Sequence, residues 1–398
     1  MMGCVLKDLI EISKDGEWGK GEPCDSSVEM LAIRGTDFER VRFGDTASTP
    51  RRFIPKRIAE RKTLRPWDVL IEAAGGTKNQ ITGRTVLLRP ELFSRSELPF
   101  TCASFSRFIR FKTELCDPQF MFWYLQHLYA SGSMHAYHTQ HTGVARFQWT
   151  TFSERESLEI PPLPVQRRIA GILSAYDCSI ANNIRRIQIL EQMAQALYRE
   201  WFVDFRFPRH TKVKLVASRL GKIPNGWRAL NLGDVVELAY GKALKAEQRL
   251  DGPYAVYGSS GVVGWHNEAL VKAPGVVVGR KGNVGSVFWS DVDFYPIDTV
   301  YFVRSEVPLH YIFYNLNHQT FQNNDAAVPG LNRNAAYMKP FILPDSGILA
   351  AFQNFAEPVF NQLRILNLKN SNLRRTRNLL LPKLISGVLS VENMEAVA

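Results

Sequence analysis

The sequence has no apolar run long enough to cross a bilayer, and no charged-then-apolar stretch of the signal-peptide kind. Cysteine is scarce as well: there are 5, an odd number, and no pair has the CxxC spacing. This usage argues for a reducing compartment and against a disulfide framework or a zinc knuckle. We therefore expect a cytoplasmic protein that is neither membrane-bound nor stabilised by disulfides.

Motifs that carry catalysis are also missing. There is no GxxxxGK[ST] phosphate loop, no Asn-Pro-Pro or glycine motif of an amino-methyltransferase, and no nuclease-like set of acidic residues with a lysine. His135, His138 and His141 recur at three-residue steps, but no cysteine or acidic ligand accompanies them. We therefore predict a non-catalytic chain without a metal or cofactor of its own.

What the sequence does have is length and positive charge. A chain of 398 residues fits two or more domains. The 49 Lys and Arg exceed the 38 Asp and Glu, which gives a net charge of +11. Because the basic residues are spread along the chain, the excess favours nucleic acid over an acidic membrane face as the partner.

The chain also repeats itself. Leu6–Ile12 resembles Leu232–Leu238, and Phe120–Leu125 resembles Tyr311–Leu316. A long helical stretch follows each copy, so the order is globular unit, helix, globular unit, helix. Such a chain suits contact with two similar targets at a fixed separation. The alternative is a duplicated scaffold whose copies diverged without a functional division.

Heptad spacing predicts the two long helices, from Pro164 to about Trp201 and from about Leu349 to Leu381. The predicted first seam is Ile169, Ile172, Tyr176, Ile180, Asn183, Ile187, Leu190, Ala194 and Leu197. The predicted second seam is Phe352, Phe355, Val359, Leu363, Leu366, Asn370, Leu373, Arg377 and Leu380. Matched seams favour mutual antiparallel packing, with the asparagines fixing the register. The alternative is that each helix packs on its own domain.

The predicted fold class is α+β: two mixed α/β domains separated by two long antiparallel coiled-coil helices, with pseudo-twofold symmetry. Short apolar runs bounded by turn residues predict the strands. The predicted strands are 68–71, 85–88, 107–111, 275–279, 287–289 and 299–303, with helices over about 118–129 and 308–321. The predicted boundaries are 1–162, first domain; 163–205, first helix; 206–344, second domain; 345–388, second helix; and 389–398, tail.

Five segments carry a resemblance to a known family: Pro161–Ala170, Gly221–Trp227, Tyr257–Gly264, Gly279–Gly285 and Val328–Arg333. Taken in this order, they resemble the specificity subunits of type I restriction-modification systems. The resemblance implies two target-recognition domains, each reading one half of a bipartite DNA sequence. It also implies that the helices set the spacing and dock two methyltransferase (M) subunits, while motor-nuclease (R) subunits complete the complex. S-adenosylmethionine, ATP and Mg²⁺ are then expected in the partner subunits.

A protein of a different class also fits the pattern. A two-headed protein-interaction scaffold, without sequence-specific DNA binding, would carry its basic charge incidentally.

Candidate DNA contacts lie on loops that combine glycine, which permits close backbone approach, with Lys, Arg and amide side chains. In the first copy they are Thr77, Lys78, Asn79, Gln80, Arg84, Arg146 and Gln148. In the second copy they are Lys242, Arg280, Lys281, Asn283, Asn332, Arg333 and Asn334. The alternative for each loop is a strand connection with solvated basic residues.

Overall fold

The computed structural model describes residues 2–76, 80–140, 143–321 and 330–391. The chain divides into two compact units. Unit 1 comprises residues 1–185 and 368–398, and unit 2 comprises residues 186–367. The division passes through both long helices, so each unit contains one globular part and a segment of each helix. Among the described residues, no helix is long and apolar enough to span a membrane.

Unit 1 is built on a four-stranded antiparallel sheet, whose strand order is Ile10–Asp15, Ser106–Phe111, Val69–Glu72, Thr85–Leu87. A second sheet places Ser27–Ile33 antiparallel to one neighbour and parallel to the other. The remaining strands of unit 1 are Met2–Val5, Arg51–Pro55, Ala74–Gly75, Phe100–Cys102, His138–Thr139, Ala145–Phe147 and Ser157–Ile160. Its shorter α-helices are Phe38–Arg42, Lys56–Lys62, Pro90–Ser94, Pro118–Ala130 and Trp149–Arg155.

Unit 2 has a four-stranded sheet in the order Glu237–Tyr240, Val300–Arg304, Gly275–Gly279, Val287–Ser290. Its three-stranded sheet again has a central strand with one antiparallel and one parallel neighbour. The remaining strands of unit 2 are Leu215–Ser218, Gly221–Pro224, Arg228–Asn231, Tyr254–Gly258, Gly261–His266, Phe294–Pro296 and Pro340–Leu343. Its shorter α-helices are Leu309–His318 and Arg333–Tyr337.

The two units share one topology, which confirms the internal repeat. In each unit, the first strand of the four-stranded sheet along the chain pairs with the last one. These pairs are Ile10–Asp15 with Ser106–Phe111, and Glu237–Tyr240 with Val300–Arg304. In each unit, too, a strand near the start of the copy pairs with the strand just before a long helix: Met2–Val5 with Ser157–Ile160, and Arg228–Asn231 with Pro340–Leu343. The mixed α/β class predicted for both copies is therefore confirmed.

The long helices are Leu163–Tyr198 and Ser346–Ile385, of 36 and 40 residues. At 1.5 Å per residue the first spans about 54 Å. A π-helical turn, Arg199–Val203, follows the first helix and buries Phe202. The second helix passes through Pro382 rather than ending at Leu381, because Leu384 and Ile385 are buried in the core of unit 1. It ends before Gly387, whose φ of +75° suits a residue without a side chain.

Within unit 1 the helix segments pack against each other in antiparallel fashion, as the seams predict. The Asn183 side-chain amide donates to Asn370 Oδ1 at 2.9 Å, and both side chains are buried. Farther along the first helix toward its start, Leu173 lies in the same core as Leu381 and Leu384. From the Asn183–Asn370 contact to the Leu173–Leu381 contact, residue numbers fall along the first helix and rise along the second. The two segments therefore run in opposite directions.

The first seam was wrong in one stretch. Between Ile169 and Ile180, Leu173 and Asp177 are fully buried, whereas Ile172 and Tyr176 are only half-buried. The seam passes through an aspartate here because Arg377 of the second helix ion-pairs with it. Arg377 was correctly placed in the second seam.

Unit 2 has an aromatic core around its own helix segments. Tyr198 and Phe202, from the end of the first helix and the turn after it, pack against Phe352 of the second helix. Tyr311 of the globular part joins them, with its ring centroid 4.7 Å from that of Phe202. This packing anchors the globular part of unit 2 to its helices.

Candidate nucleic-acid interface

In unit 2 the Gly279–Gly285 turn is held by its own backbone and by a neighbouring segment. The Gly279 N–H donates to Ser286 O at 2.7 Å, and the Gly285 N–H donates to Gly279 O at 2.9 Å. The Arg280 carbonyl accepts from the Leu331 N–H at 2.7 Å, and Lys281 bridges to Gly330. Two segments that the sequence selected separately, the turn and the segment before Arg333–Tyr337, therefore lie side by side.

Their two arginines meet on one tyrosine. The guanidinium carbons of Arg280 and Arg333 each lie 4.9 Å from the ring centroid of Tyr240. Tyr240 ends its strand, and its side chain is 49% exposed. Guanidinium groups are attracted to the negative face of an aromatic ring, so the ring holds both cations in place. We call Tyr240, Arg280 and Arg333 the Tyr240 cluster.

Among the described residues, no carboxylate forms an ion pair with either arginine of this cluster. Arg280 Nη1 donates to the Asp298 backbone carbonyl at 3.0 Å, not to a carboxylate. In the part of unit 2 that the structure describes, neither Arg280 nor Arg333 forms an ion pair. Lys281 lies beside them, with its ammonium 3.9 Å from the Asp298 carboxylate. Several cations at one exposed corner favour an anion such as a phosphate.

The other candidates of unit 2 have different surroundings. Asn283 is exposed at the tip of the turn, and Lys242 is exposed two residues after Tyr240. Asn332 caps the helix Arg333–Tyr337, with its Oδ1 accepting from the N–H groups of Asn334 and Ala335 at 2.9 and 3.1 Å. Its side-chain oxygen is therefore occupied, and its amide nitrogen is the group left for a ligand. Asn334 is exposed.

In unit 1 the predicted residues are less concentrated. Thr77, Lys78 and Asn79 lie outside the described residues, and Gln80 is exposed. Arg84 donates two hydrogen bonds to the Glu72 carboxylate, at 2.9 and 2.7 Å. This ion pair raises the pKa of Arg84 above its ordinary value, mainly through the hydrogen bond to Glu72. The charge of Arg84 is therefore already balanced within the protein.

Arg146 and Gln148 line a cleft of about 650 Å³ in unit 1. Arg146 is exposed on the strand Ala145–Phe147, which pairs with Ala74–Gly75. The cleft is also lined by Phe105 and Val144, which are 59% and 55% exposed. We call it the Phe105 cleft.

Arg107 forms one wall of the Phe105 cleft. It ion-pairs with Asp15 at 2.6 Å and donates to Ser13 Oγ at 3.1 Å. Its guanidinium carbon lies 5.6 Å from the ring centroid of Trp149. The arginine is therefore held between a carboxylate and an aromatic ring.

Backbone hydrogen bonds show which residues of the Phe105 cleft in unit 1 and of the Tyr240 cluster in unit 2 correspond. We call these two sites the corners of the two units. The Phe105 carbonyl accepts from the N–H groups of Ala73 and Ala74, at 2.8 and 3.1 Å. The Thr299 carbonyl accepts in the same way from Arg280 and Lys281, at 2.9 and 3.0 Å. Ala73 and Ala74 of unit 1 therefore occupy the positions that the cations Arg280 and Lys281 occupy in unit 2.

Sequence reasoning missed the aromatic members of both corners. Tyr240, Phe105 and Trp149 were not among the candidates, although each lies beside a predicted or neighbouring arginine. The signal that could have found Tyr240 and Phe105 is a bulky aromatic next to glycine or serine at the end of a strand. That signal is weak, because many such aromatics are buried.

The fold and these corners define a class: a protein with a repeated mixed α/β unit, each unit holding segments of two long antiparallel helices and a corner of arginine and aromatic residues. The family model described as "Type I restriction modification DNA specificity domain" matches residues 224–346, which include the Tyr240 cluster. The match places the predicted contacts of unit 2 inside a known domain type.

Curated relatives and a solved structure agree with this match. The type I restriction enzyme MjaIX specificity subunit of Methanocaldococcus jannaschii is 26% identical over 68% of this chain and 70% of its own. The MjaVIII specificity subunit of the same organism is 26% identical over 47% of this chain and 38% of its own. The crystal structure of a type I restriction-modification S subunit from M. genitalium has the same fold, with a TM-score of 0.56, 17% identity, and coverage of 96% and 95% of the two chains. In sequence and in fold, the chain is therefore similar to the specificity subunits of type I restriction-modification systems.

Proposed function

We propose that this chain is the DNA-reading subunit of a type I restriction-modification complex. Each globular part reads one half of a bipartite DNA sequence, and the long helices set the gap between the halves. The helices also dock two methyltransferase subunits, and motor-nuclease subunits join the assembly. S-adenosylmethionine, ATP and Mg²⁺ act in those partners, and this chain is not itself catalytic.

The Tyr240 cluster is the observation that carries the DNA-binding part of the proposal. Two guanidiniums on one exposed ring, without an ion-paired carboxylate in the described part of unit 2, form a preorganised anion site. The cations need no rearrangement before a phosphate binds, so little ordering entropy is lost. Exposed Asn283 lies in the adjacent turn, where its amide could reach a base edge.

The first test determines whether the DNA target is bipartite. The chain is co-expressed with its methyltransferase partners, and the methylated adenines in the host genome are mapped. We expect one motif with two specific halves separated by a gap of constant length. A continuous motif would contradict the division of reading between the two globular parts.

The second test measures the binding of the complex to that motif and to a scrambled duplex at several salt concentrations. Each phosphate contact contributes about −0.9 to the slope of log K against log salt on duplex DNA. Arg333→Ala should therefore flatten the slope by about 1. The matched control is Arg304→Ala, because Arg304 lies on the strand next to that of Tyr240 but is paired with Glu237.

A protein-interaction scaffold predicts a different result. Partner binding would survive Arg280→Ala and Lys281→Ala, and neither duplex would shift in a gel. Equal affinity for the motif and the scrambled duplex would likewise contradict sequence-specific binding.

A further inference from the structure

We infer that Phe105 stacks against a DNA base, so that unit 1 holds its half-site through an aromatic contact where unit 2 uses cations. This inference rests on the proposed function and names a contact that the function alone does not assign. Three features support it: the exposure of the Phe105 ring, the rigidity of its backbone, and the charge balance around it.

Phe105 is an exposed aromatic on a fixed support. Its ring is 59% exposed, while its carbonyl accepts two backbone hydrogen bonds from Ala73 and Ala74. The next residue, Ser106, is fully buried, and its N–H donates to Ala103 O at 2.8 Å. A ring that is already positioned loses little freedom when a ligand covers it. Single exposed apolar residues are common, so exposure alone would carry no argument.

The surroundings of Phe105 distinguish it from an ordinary exposed residue. Val144, also exposed, lines the same cleft and enlarges the apolar surface. Arg146 lines it as well and forms no ion pair in the part of unit 1 that the structure describes. An apolar ring beside a single available guanidinium matches a nucleotide, whose base is flat and apolar on its faces and whose phosphate is negative.

Other arginines near the cleft are neutralised. Arg107 pairs with Asp15 and Arg84 pairs with Glu72, whose side chain is only 5% exposed. At the corresponding corner of unit 2 the cations Arg280 and Arg333 have no such partners among the described residues. Among the described residues, the Phe105 cleft therefore has fewer unpaired cations for phosphates than the Tyr240 cluster.

The Phe105 position itself differs between the units. Thr299, with a small polar side chain, occupies the corresponding place in unit 2. Apolar side chains that enter DNA act by inserting between base steps and partly unstacking them. Phe105 has the size and flat shape for this role, and threonine does not.

The test uses the complex with its methyltransferase partners and the motif found by methylation mapping. Duplexes carry 2-aminopurine, a base whose fluorescence rises on unstacking, at successive positions of each half-site. We expect one position in the half read by unit 1 to brighten on binding. Phe105→Ala should abolish that signal and weaken binding by about fivefold to 150-fold, while the salt slope stays unchanged. Phe105→Trp should retain both signal and affinity.

Leu250→Ala is the matched control, because Leu250 is also 59% exposed but belongs to unit 2 and does not line the cleft. It should change neither signal nor affinity. Circular dichroism verifies that each variant is folded. If Phe105→Ala binds with the affinity and fluorescence of the wild type, this inference is overturned and the proposed function stands. If the wild-type complex shows no preference for any split site, both are overturned.

Discussion

Replacement of Asp177 should strongly destabilise unit 1. Its carboxylate is fully buried in the helix seam and accepts from Arg42 Nε at 2.7 Å and from Arg377. Arg89 lies 3.7 Å away. Asp177→Asn keeps the volume of the side chain but removes the negative charge that these three arginines share.

The magnitude follows from the burial of the cations. The side chains of Arg42 and Arg377 are 10% and 7% exposed, so water cannot replace the lost carboxylate. Burial and the like charge of Arg42 already lower the pKa of Arg377, despite Asp177. Removing one partner of a buried ion pair costs about 3–5 kcal/mol. We expect the free energy of unfolding of unit 1 to fall by about that amount.

Cysteine labelling can measure this change in unit 1 alone, because all 5 cysteines precede residue 186. Cys102 and Cys116 are buried in cores of unit 1, and their exposure to a thiol reagent reports its unfolding. The labelled fraction is followed against urea concentration by mass spectrometry. The midpoint should shift without a change in slope.

Two further variants make the reasoning refutable. Glu29→Gln breaks the exposed pair with Arg51 and should cost less than about 1 kcal/mol. Adding Arg377→Leu to Asp177→Asn should recover part of the loss, because one uncompensated cation is removed. If Asp177→Asn shifts the midpoint no more than Glu29→Gln does, the buried charge does not stabilise unit 1 as argued.

Three other outcomes are expected. Asn283→Ala should relax the preference of the complex at one half-site only, because its exposed amide belongs to unit 2; methylation mapping checks this, and altered preference in both halves would contradict it. Inserting four residues into each long helix should lengthen the accepted gap by about two base pairs, since four residues add about 6 Å; an unchanged gap would show that the helices do not set it. In the native protein at pH 8, exposed Cys178 should react with a thiol reagent far faster than Cys102, because burial raises the pKa of the Cys102 thiol to about 12; equal rates, measured by mass spectrometry, would contradict that burial.

Much of the fold could be predicted from local pattern. The strand Gly275–Gly279 was predicted with its observed bounds, and the helix Pro118–Ala130 was predicted to within one residue at its end. Both are delimited by local features, glycine at the ends of the strand and the Asp117 cap with Pro118 at the helix start. Such features depend only on a few neighbouring residues, so they can be recognised in a single sequence.

The candidate site could be predicted only in part. Arg280 and Arg333 were selected from composition and position, but nothing local indicates that both meet on Tyr240. Arg84 was selected on the same grounds, yet Glu72 on the adjacent strand neutralises it. Whether a surface arginine is available to a ligand depends on its neighbours in space.

The sequence by itself determined the repeat, the class of each predicted element and the phase of the second helical seam, because periodicity and turn residues are properties of short stretches. Only tertiary structure decided that Asp177 is buried, since its charge is tolerable in a seam only where Arg42 and Arg377 converge on it. Tertiary structure also decided which basic residues keep an unbalanced charge. Electrostatic energy depends on distance in space and on exclusion of water, and neither can be read from separation along the chain.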